Sequence, residues 1–422
     1  MTLILYTFKY VLMSIEQDFL DYYYFTIQYK YDTSQDLLDY WIEFKEKFPN
    51  KAKSYIENYI NQTKKYKNLF RTFGQLRFSL YQPDITTNAG KRYIFYRLLR
   101  KFEMCRIPST LTVGLTKKCQ CNCLHCSANY HMNQKEKELT TEQFISAIEE
   151  SIELGVTTVV LVGGEPLLNK DLDKIISSVD KNKANVVLFT NGEFLTKEKC
   201  KKLKASGLDG IFVSLDSYKK EEHNQLRKRN IFDKAIEGIQ NALQVKIPVA
   251  ISSYFTKDRV EAYFIENMMA FAKELNVQEV TFFDAIPTGR MYSSVSSFLD
   301  LESRKKILYL THYYRSKKDY PIITPQSVFT SQKECSRGYC FAATTQFYLS
   351  SQGYVCPCDF TPLTVGKYPE FSIKTLWEKL ITIEPYKKRS KECRMQDPHF
   401  RNQYIYRIPK DASLPYPIDL LQ

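Results

Sequence analysis

Between residues 109 and 285 the chain alternates two hydrophobic textures. Short β-branched runs near Thr110–Leu115, Thr157–Val162, Asn185–Phe189, Gly210–Leu215, Ile247–Tyr254 and Glu279–Asp284 read as strands. Helical patterns separate them, over Thr141–Leu154, Leu172–Val179, Lys197–Ser206, Phe232–Val245 and Val260–Leu275. Strand, helix, strand at this pitch predicts parallel βα units. Six such strands suit an α/β fold built as a partial, TIM-like (β/α)6 barrel better than a closed eight-stranded one.

The flanks read differently. Residues 1–108, rich in Tyr, Phe, Lys and Leu and poor in Gly, predict a helical N-terminal region, with helices over Gln35–Phe48 and Lys51–Tyr66 punctuated by Pro49 and Pro83. Tyr22, Tyr23, Tyr24 and Trp41 are expected to pack in a core. After the barrel, 109–300, come a helical connector over 301–334 and a small cysteine-rich domain over 335–400. The tail, 401–422, contains Pro409, Pro415 and Pro417 and is expected to be extended.

In a parallel α/β fold, functional groups belong on loops after the carboxyl ends of strands. Cys119–Cys126 follows the first expected strand, Gly163–Pro166 the second, Thr190–Gly192 the third and Asp216–Ser217 the fourth. All four polar clusters fall on one mouth.

Composition narrows the class further. At 422 residues, with 44% hydrophobic and 25% charged, the chain is an ordinary folded protein rather than a disordered one. No apolar run reaches the roughly 18 residues of a membrane span, and nothing resembles a signal-peptide cleavage site, so a cytoplasmic location is expected. The net charge is +13, concentrated between Lys64 and Arg106, where only Asp84 and Glu103 are acidic. That stretch reads as a solvated basic face or as a surface for an anionic substrate, an acidic peptide or peripheral membrane contact. No recognition motif points to nucleic acid. The eleven cysteines cluster at 119–126 and 335–358, which suggests metal in a reducing compartment rather than disulfides.

The densest chemistry is Cys119-Gln120-Cys121-Asn122-Cys123-Leu124-His125-Cys126. Its frame is C-x3-C-x2-C, from Cys119, Cys123 and Cys126, a spacing expected by chance on the order of one time in a hundred. Three thiolates on a tight loop can hold three corners of a cubane iron–sulfur cluster and leave one iron open. Tetrahedral zinc, held by all four cysteines or by three with His125, is the competing use. One βα unit later stands Gly163-Gly164-Glu165-Pro166, in which two glycines admit close backbone approach and Glu165 can accept from a cationic amine.

With these elements the chain resembles the radical S-adenosylmethionine superfamily over roughly 109–285. The resemblance implies that Cys119, Cys123 and Cys126 hold a [4Fe–4S] cluster whose open iron binds the methionyl amine and carboxylate of S-adenosyl-L-methionine. It places His125 beside the adenine, Gly163, Gly164, Glu165 and Pro166 around the methionyl group, and Ser214 and Asp216 at the ribose hydroxyls. A Ser–Asp pair at a strand end also serves as a helix cap, and Thr190 and Asn191 also form turns. The implied chemistry is reductive cleavage to methionine and a 5′-deoxyadenosyl radical that abstracts hydrogen from a substrate. The electron donor would be a flavodoxin or a ferredoxin.

A second cysteine region reads Cys335-x4-Cys340, then Gly353, Cys356 and Cys358, with Cys393 downstream. Gly353 suits a hairpin turn between strands at Gln346–Leu349 and Tyr354–Val355. With Ser372–Trp377, this resembles the start of the SPASM/twitch auxiliary-cluster domain. The implied ligands of one auxiliary [4Fe–4S] cluster are Cys335, Cys340, Cys358 and Cys393, with Cys356 and His399 as alternates and structural zinc as the competing use. Cys105 and Cys200 read as buried thiols. Together these features point to a radical enzyme that oxidatively modifies a peptide or protein. Two alternatives stand: a small-molecule or tetrapyrrole side chain, suggested by Ala285–Arg290 with Arg290 as a carboxylate ligand, and a zinc-stabilised, non-catalytic binding protein.

Overall fold

The computed structural model describes residues 70–102, 106–132, 136–293, 299–326 and 340–421. The expected helices over Gln35–Phe48 and Lys51–Tyr66, the aromatic stripe of Tyr22, Tyr23, Tyr24 and Trp41, and Cys105 and Cys335 lie outside the described residues. A hairpin, β1 (Phe70–Thr72) and β2 (Gln75–Arg77), comes first, followed by a helix over Asn88–Phe102.

All six expected strands are present: β3 (Thr110–Gly114), β4 (Thr158–Val162), β5 (Asn185–Thr190), β6 (Gly210–Ser214), β7 (Val249–Phe255) and β8 (Glu279–Asp284). They pair in parallel in chain order, each step bridged by a helix. The sheet then continues at both ends. A strand inside the expected helical connector, β9 (Ile322–Pro325), pairs parallel with β8, and β10 (Gln346–Leu349) pairs parallel with β3. The hairpin partner β11 (Tyr354–Cys356) and the short β12 (Gly366–Lys367) extend that edge antiparallel. The second cysteine region is thus hydrogen-bonded into the barrel sheet itself.

Burial follows the two-residue period of a strand. Val159 and Leu161 of β4 lie in the layer between sheet and helices, while Val160 joins Val187, Phe212 and Ala250 in a separate cluster. Leu80 belongs to that second cluster, with Tyr81 packed on it. Buried Glu279, the first residue of β8, accepts from the Ser79 hydroxyl (2.9 Å) and the Leu80 amide (2.7 Å). Tyr81 packs on Phe212 and its carbonyl accepts from Thr158, at the start of β4 (2.7 Å). Residues 79–81 therefore plug the amino end of the barrel and leave the carboxyl end for ligands.

Helix boundaries show which signals were readable. The helix over Thr141–Leu154 opens with a capping box between Thr140 and Gln143 and closes at Gly155. The expected Val260–Leu275 helix is two pieces, Lys257–Glu261 and Phe264–Glu274, separated at Tyr263, whose φ of 57° is left-handed. A helix over Lys220–Arg227 was not expected, because its eight residues carry a single leucine and no apolar period. The proline-rich tail folds back rather than running extended: residues 401–405 form a helical turn, Tyr416–Pro417 pairs with Leu363–Thr364, and Ile418 and Leu421 are buried. Among the described residues no helix is long and apolar enough to cross a membrane.

Candidate active site

A cavity of about 610 Å³ opens at the carboxyl ends of the strands. Cys119, Cys121, Cys123, His125 and Cys126 line it, as do Gly163, Gly164, Glu165, Ser214 and Asp216; so do Cys340, Cys358 and Cys393 of the second region. Pro166, Cys356 and His399 are not part of its lining.

The first cysteine loop is clamped from three directions. The Asn122 and Leu124 amides donate to the Arg227 and Leu226 carbonyls at the end of the unexpected helix. The Gly164 and Glu165 amides donate to the Thr116 and Lys118 carbonyls at 2.7 and 2.8 Å. This approach requires glycine: a Cβ at Gly164 would stand 2.3 Å from the Lys118 oxygen and 2.9 Å from the Cys119 Cβ. From the third side, after β8, the Arg290 amide donates to the Cys126 carbonyl (3.0 Å) and its guanidinium to the Cys123 carbonyl (2.8 Å). Arg290 thus has a structural task in the Pro287–Arg290 segment, where a Cβ at Gly289 would collide with the Cys126 oxygen at 2.1 Å.

Electrostatics distinguish the thiols. A hydrogen bond from Cys121 and the nearby Arg227 guanidinium overcome burial and hold Cys123 down at about 6. Arg227 donates to the Cys123 sulfur at 3.7 Å and, through Nε, to Asp216 at 2.5 Å. Cys119 is also lowered, chiefly by the same hydrogen bonding from Cys121, whereas burial pushes Cys126 up to about 11. Sequence reasoning missed Arg227; nothing near it in sequence marks it as a thiolate partner.

Glu165 is 1% exposed, and burial raises its carboxyl to about 7. Its Oε1 accepts from Thr190 (2.7 Å) and the Leu167 amide (3.1 Å), and Oε2 from the Asn191 amide (2.9 Å). Thr190 and Asn191, expected at the mouth and equally as turn formers, donate to Glu165. One acceptor position on Oε2 is left over for a cation. Pro166 starts the short turn Pro166–Leu168 that Glu165 caps.

The His125 ring packs against Tyr254 at a tilt of 30°, with centroids 4.6 Å apart, and its Nε2 lies 3.3 Å from Asp216. Burial lowers its pKa to about 4, so this is a contact of a neutral ring rather than an ion pair. Asp216, expected at a ribose, is engaged by Arg227, and its amide donates to His223 Nδ1 (3.1 Å). Ser214 lines the cavity one residue pair earlier on the same strand end.

In the second region, Gly353 (φ 94°) makes the expected hairpin, with its amide on the Ser350 carbonyl and Leu349 opposite Val355. Burial raises Cys358 to about 12 and also pushes Cys393 up, with Cys340 and Cys358 as its neighbours. Buried Cys356 pairs with Thr364 instead. His399 is exposed, its amide on Asp397. Cys200 is fully buried in the outer layer, as read.

Among the described residues no three His, Cys, Asp or Glu side chains converge tightly enough to grip a single metal ion. An iron–sulfur cube is wider than one ion, and its thiolates stand correspondingly farther apart. Three thiols on one wall, a cation beside the most acidic of them and a side-chain-free glycine pair next to them fit such a group.

Comparison with known proteins agrees. The Radical SAM superfamily model matches residues 113–290. An AdoMet-dependent heme synthase of Methanosarcina barkeri is 30% identical over 296 residues, 65% of this chain and 83% of that protein. A GTP 3′,8-cyclase of Nautilia profundicola is 27% identical over 278 residues, 62% of this chain and 84% of that one. Among solved structures, Streptococcus suis SuiB bound to its precursor peptide SuiA matches with a TM-score of 0.55 at 19% identity, covering 79% of this chain and 78% of SuiB.

Proposed function

The chain belongs to the radical SAM superfamily, and from that premise we propose that it oxidises a peptide or protein side chain held between its two cysteine groups. One observation carries this reading: Cys119, Cys123 and Cys126 line the same cavity as Cys340, Cys358 and Cys393. When bound, a [4Fe–4S] cluster with S-adenosylmethionine supplies hydrogen-atom abstraction, and an auxiliary cluster accepts the electron left on the substrate.

The chain's own groups do the rest. Cys119, Cys123 and Cys126 would hold the first cluster, with Arg227 stabilising the Cys123 thiolate. Glu165 would hold the methionyl amine through its remaining acceptor position. His125 and Tyr254 offer a flat surface for an adenine, and Ser214 lies within the same wall. Cys340, Cys358 and Cys393, with Cys335, would hold the auxiliary cluster. Asp359, which lines the cavity next to Cys358, supplies a carboxyl that can take the proton released on oxidation.

The likeness to a protein solved with a precursor peptide supports a peptide substrate. The likeness to a heme synthase favours a second reading, a tetrapyrrole side chain. A flavodoxin- or ferredoxin-type donor would supply the electron. The test is anaerobic reconstitution with dithionite and S-adenosylmethionine, against peptides and against carboxylated porphyrins. The proposal expects 5′-deoxyadenosine and a peptide lighter by a pair of hydrogens. Release of carbon dioxide from a porphyrin would favour the second reading, and a colourless, zinc-loaded protein would end both.

A further inference from the structure

Just after the first cysteine loop, the helical turn Asn129–Met132 sets His131 into the cavity wall. The residue is only 4% exposed, and its ring is packed between Tyr130, 4.0 Å away, and Tyr348, 4.6 Å away. Neither ring nitrogen has a hydrogen-bond partner. The half-buried His125 and the buried His223 each have one ring nitrogen engaged, since His125 Nε2 reaches Asp216 and His223 Nδ1 accepts from the Asp216 amide. Buried polar atoms are rarely left idle, and in a residue that lines a cavity the missing partner is a ligand or a water.

The wall around His131 joins the two cysteine groups. The Tyr130 hydroxyl donates to the Asp359 carbonyl at 2.8 Å, beside Cys358. The Tyr348 hydroxyl is held against Gly114, where an added Cβ would stand 2.3 Å from it. Burial keeps the imidazole uncharged, down at about 3. A neutral imidazole donates from one nitrogen and accepts at the other. A carboxylate offers only acceptors and would leave one nitrogen idle. A molecule with several amides serves both, one carbonyl accepting from the nitrogen that carries hydrogen and the N–H of another donating to the opposite one.

We propose that His131 is a substrate-positioning residue whose imidazole donates to one amide group and accepts from another in the molecule bound in the cavity. This rests on the reading above, that substrate lies between the two cysteine groups, and narrows it to an amide-bearing one.

Reconstituted protein with S-adenosylmethionine is titrated with N-methylacetamide, the smallest peptide-bond mimic, and separately with acetate, with binding followed by ligand-observed saturation-transfer NMR. N-methylacetamide should bind wild type, bind about tenfold or more weakly to His131→Phe, and recover in His131→Gln, whose carboxamide offers both a donor and an acceptor. A second measurement uses wild type labelled with ¹⁵N-histidine: the imidazole resonance absent from His131→Gln should shift with N-methylacetamide and stay in the neutral range. Equal binding to His131→Phe, preference for acetate, or no response of the wild type overturns the proposal. None of these needs turnover. Failure of the functional reading would show separately, as wild type that forms no 5′-deoxyadenosine with dithionite.

Discussion

The two cysteine groups face one cavity but are built in opposite ways. The first is compact in sequence, four thiols within eight residues, and sits beside a cation: Arg227 contacts Cys123, whose thiol is held at about 6. The second draws Cys340, Cys358 and Cys393 from a span of more than fifty residues and is buried among apolar side chains that push its described, shifted thiols upward. A thiolate must form before it can bind metal, and metal binding then releases protons. Cys119 and Cys123 of the first group are therefore electrostatically prepared for metal, whereas Cys126, pushed up to about 11, and Cys358 and Cys393 of the second depend on the metal itself to drive deprotonation.

That contrast can be broken, starting with the largest effect. Cys123→Ala should lower 5′-deoxyadenosine formation by about a thousandfold or more, as removing one member of a catalytic unit does, while iron assay still finds the second group's metal. Arg227→Met removes the cation that pairs buried Asp216 and should cost about 3 kcal/mol in chemical unfolding. In the metal-free variant the Cys123 thiol loses its stabilising charge, so its pKa rises and alkylation at pH 7 slows. The same alkylation assay on Cys358 should be slow throughout. Cys358→Ala should leave cleavage of S-adenosylmethionine in place and lower product by about a hundredfold, about 2.7 kcal/mol. The smallest effect belongs to Glu165, whose carboxyl ionises near 7. The N–H groups of an amine held by the cluster donate better to an ionised carboxylate, so S-adenosylmethionine should bind about tenfold more tightly as pH rises from 6 to 8, and Glu165→Gln should flatten that dependence in an equilibrium titration.

The same contrast explains what could be read in the chain. The first loop, the Gly163–Pro166 element, six strands and the Gly353 hairpin depend on neighbours in sequence, and each was legible. What joins distant segments was not. Leu349 of β10 pairs with Val113 of the adjacent β3, although the whole barrel separates them in sequence, which no periodicity records. Residues 79–81 plug the barrel through hydrogen bonds to Glu279, a carboxylate that sequence alone would leave in solvent. Arg227 escaped because its helix carries almost no apolar signal. Asp216 was read at the right strand end, but its partner in the structure is that arginine. Arg290, read in one alternative as a ligand for a carboxylate, lines the cavity and also braces the cysteine loop, which no spacing records.

The central claim is that the 119–126 loop spends three thiolates on its cluster and leaves one iron for the sulfonium donor, with Cys121 as a spectator. Pulsed ENDOR on the reduced Cys121→Ser protein with S-adenosylmethionine labelled with ¹⁵N at the amine and ¹⁷O at the carboxylate tests this directly. The account predicts hyperfine coupling of both labels to the cluster, undiminished by the substitution. No coupling to either label, or loss of the cluster with Cys121, would contradict it.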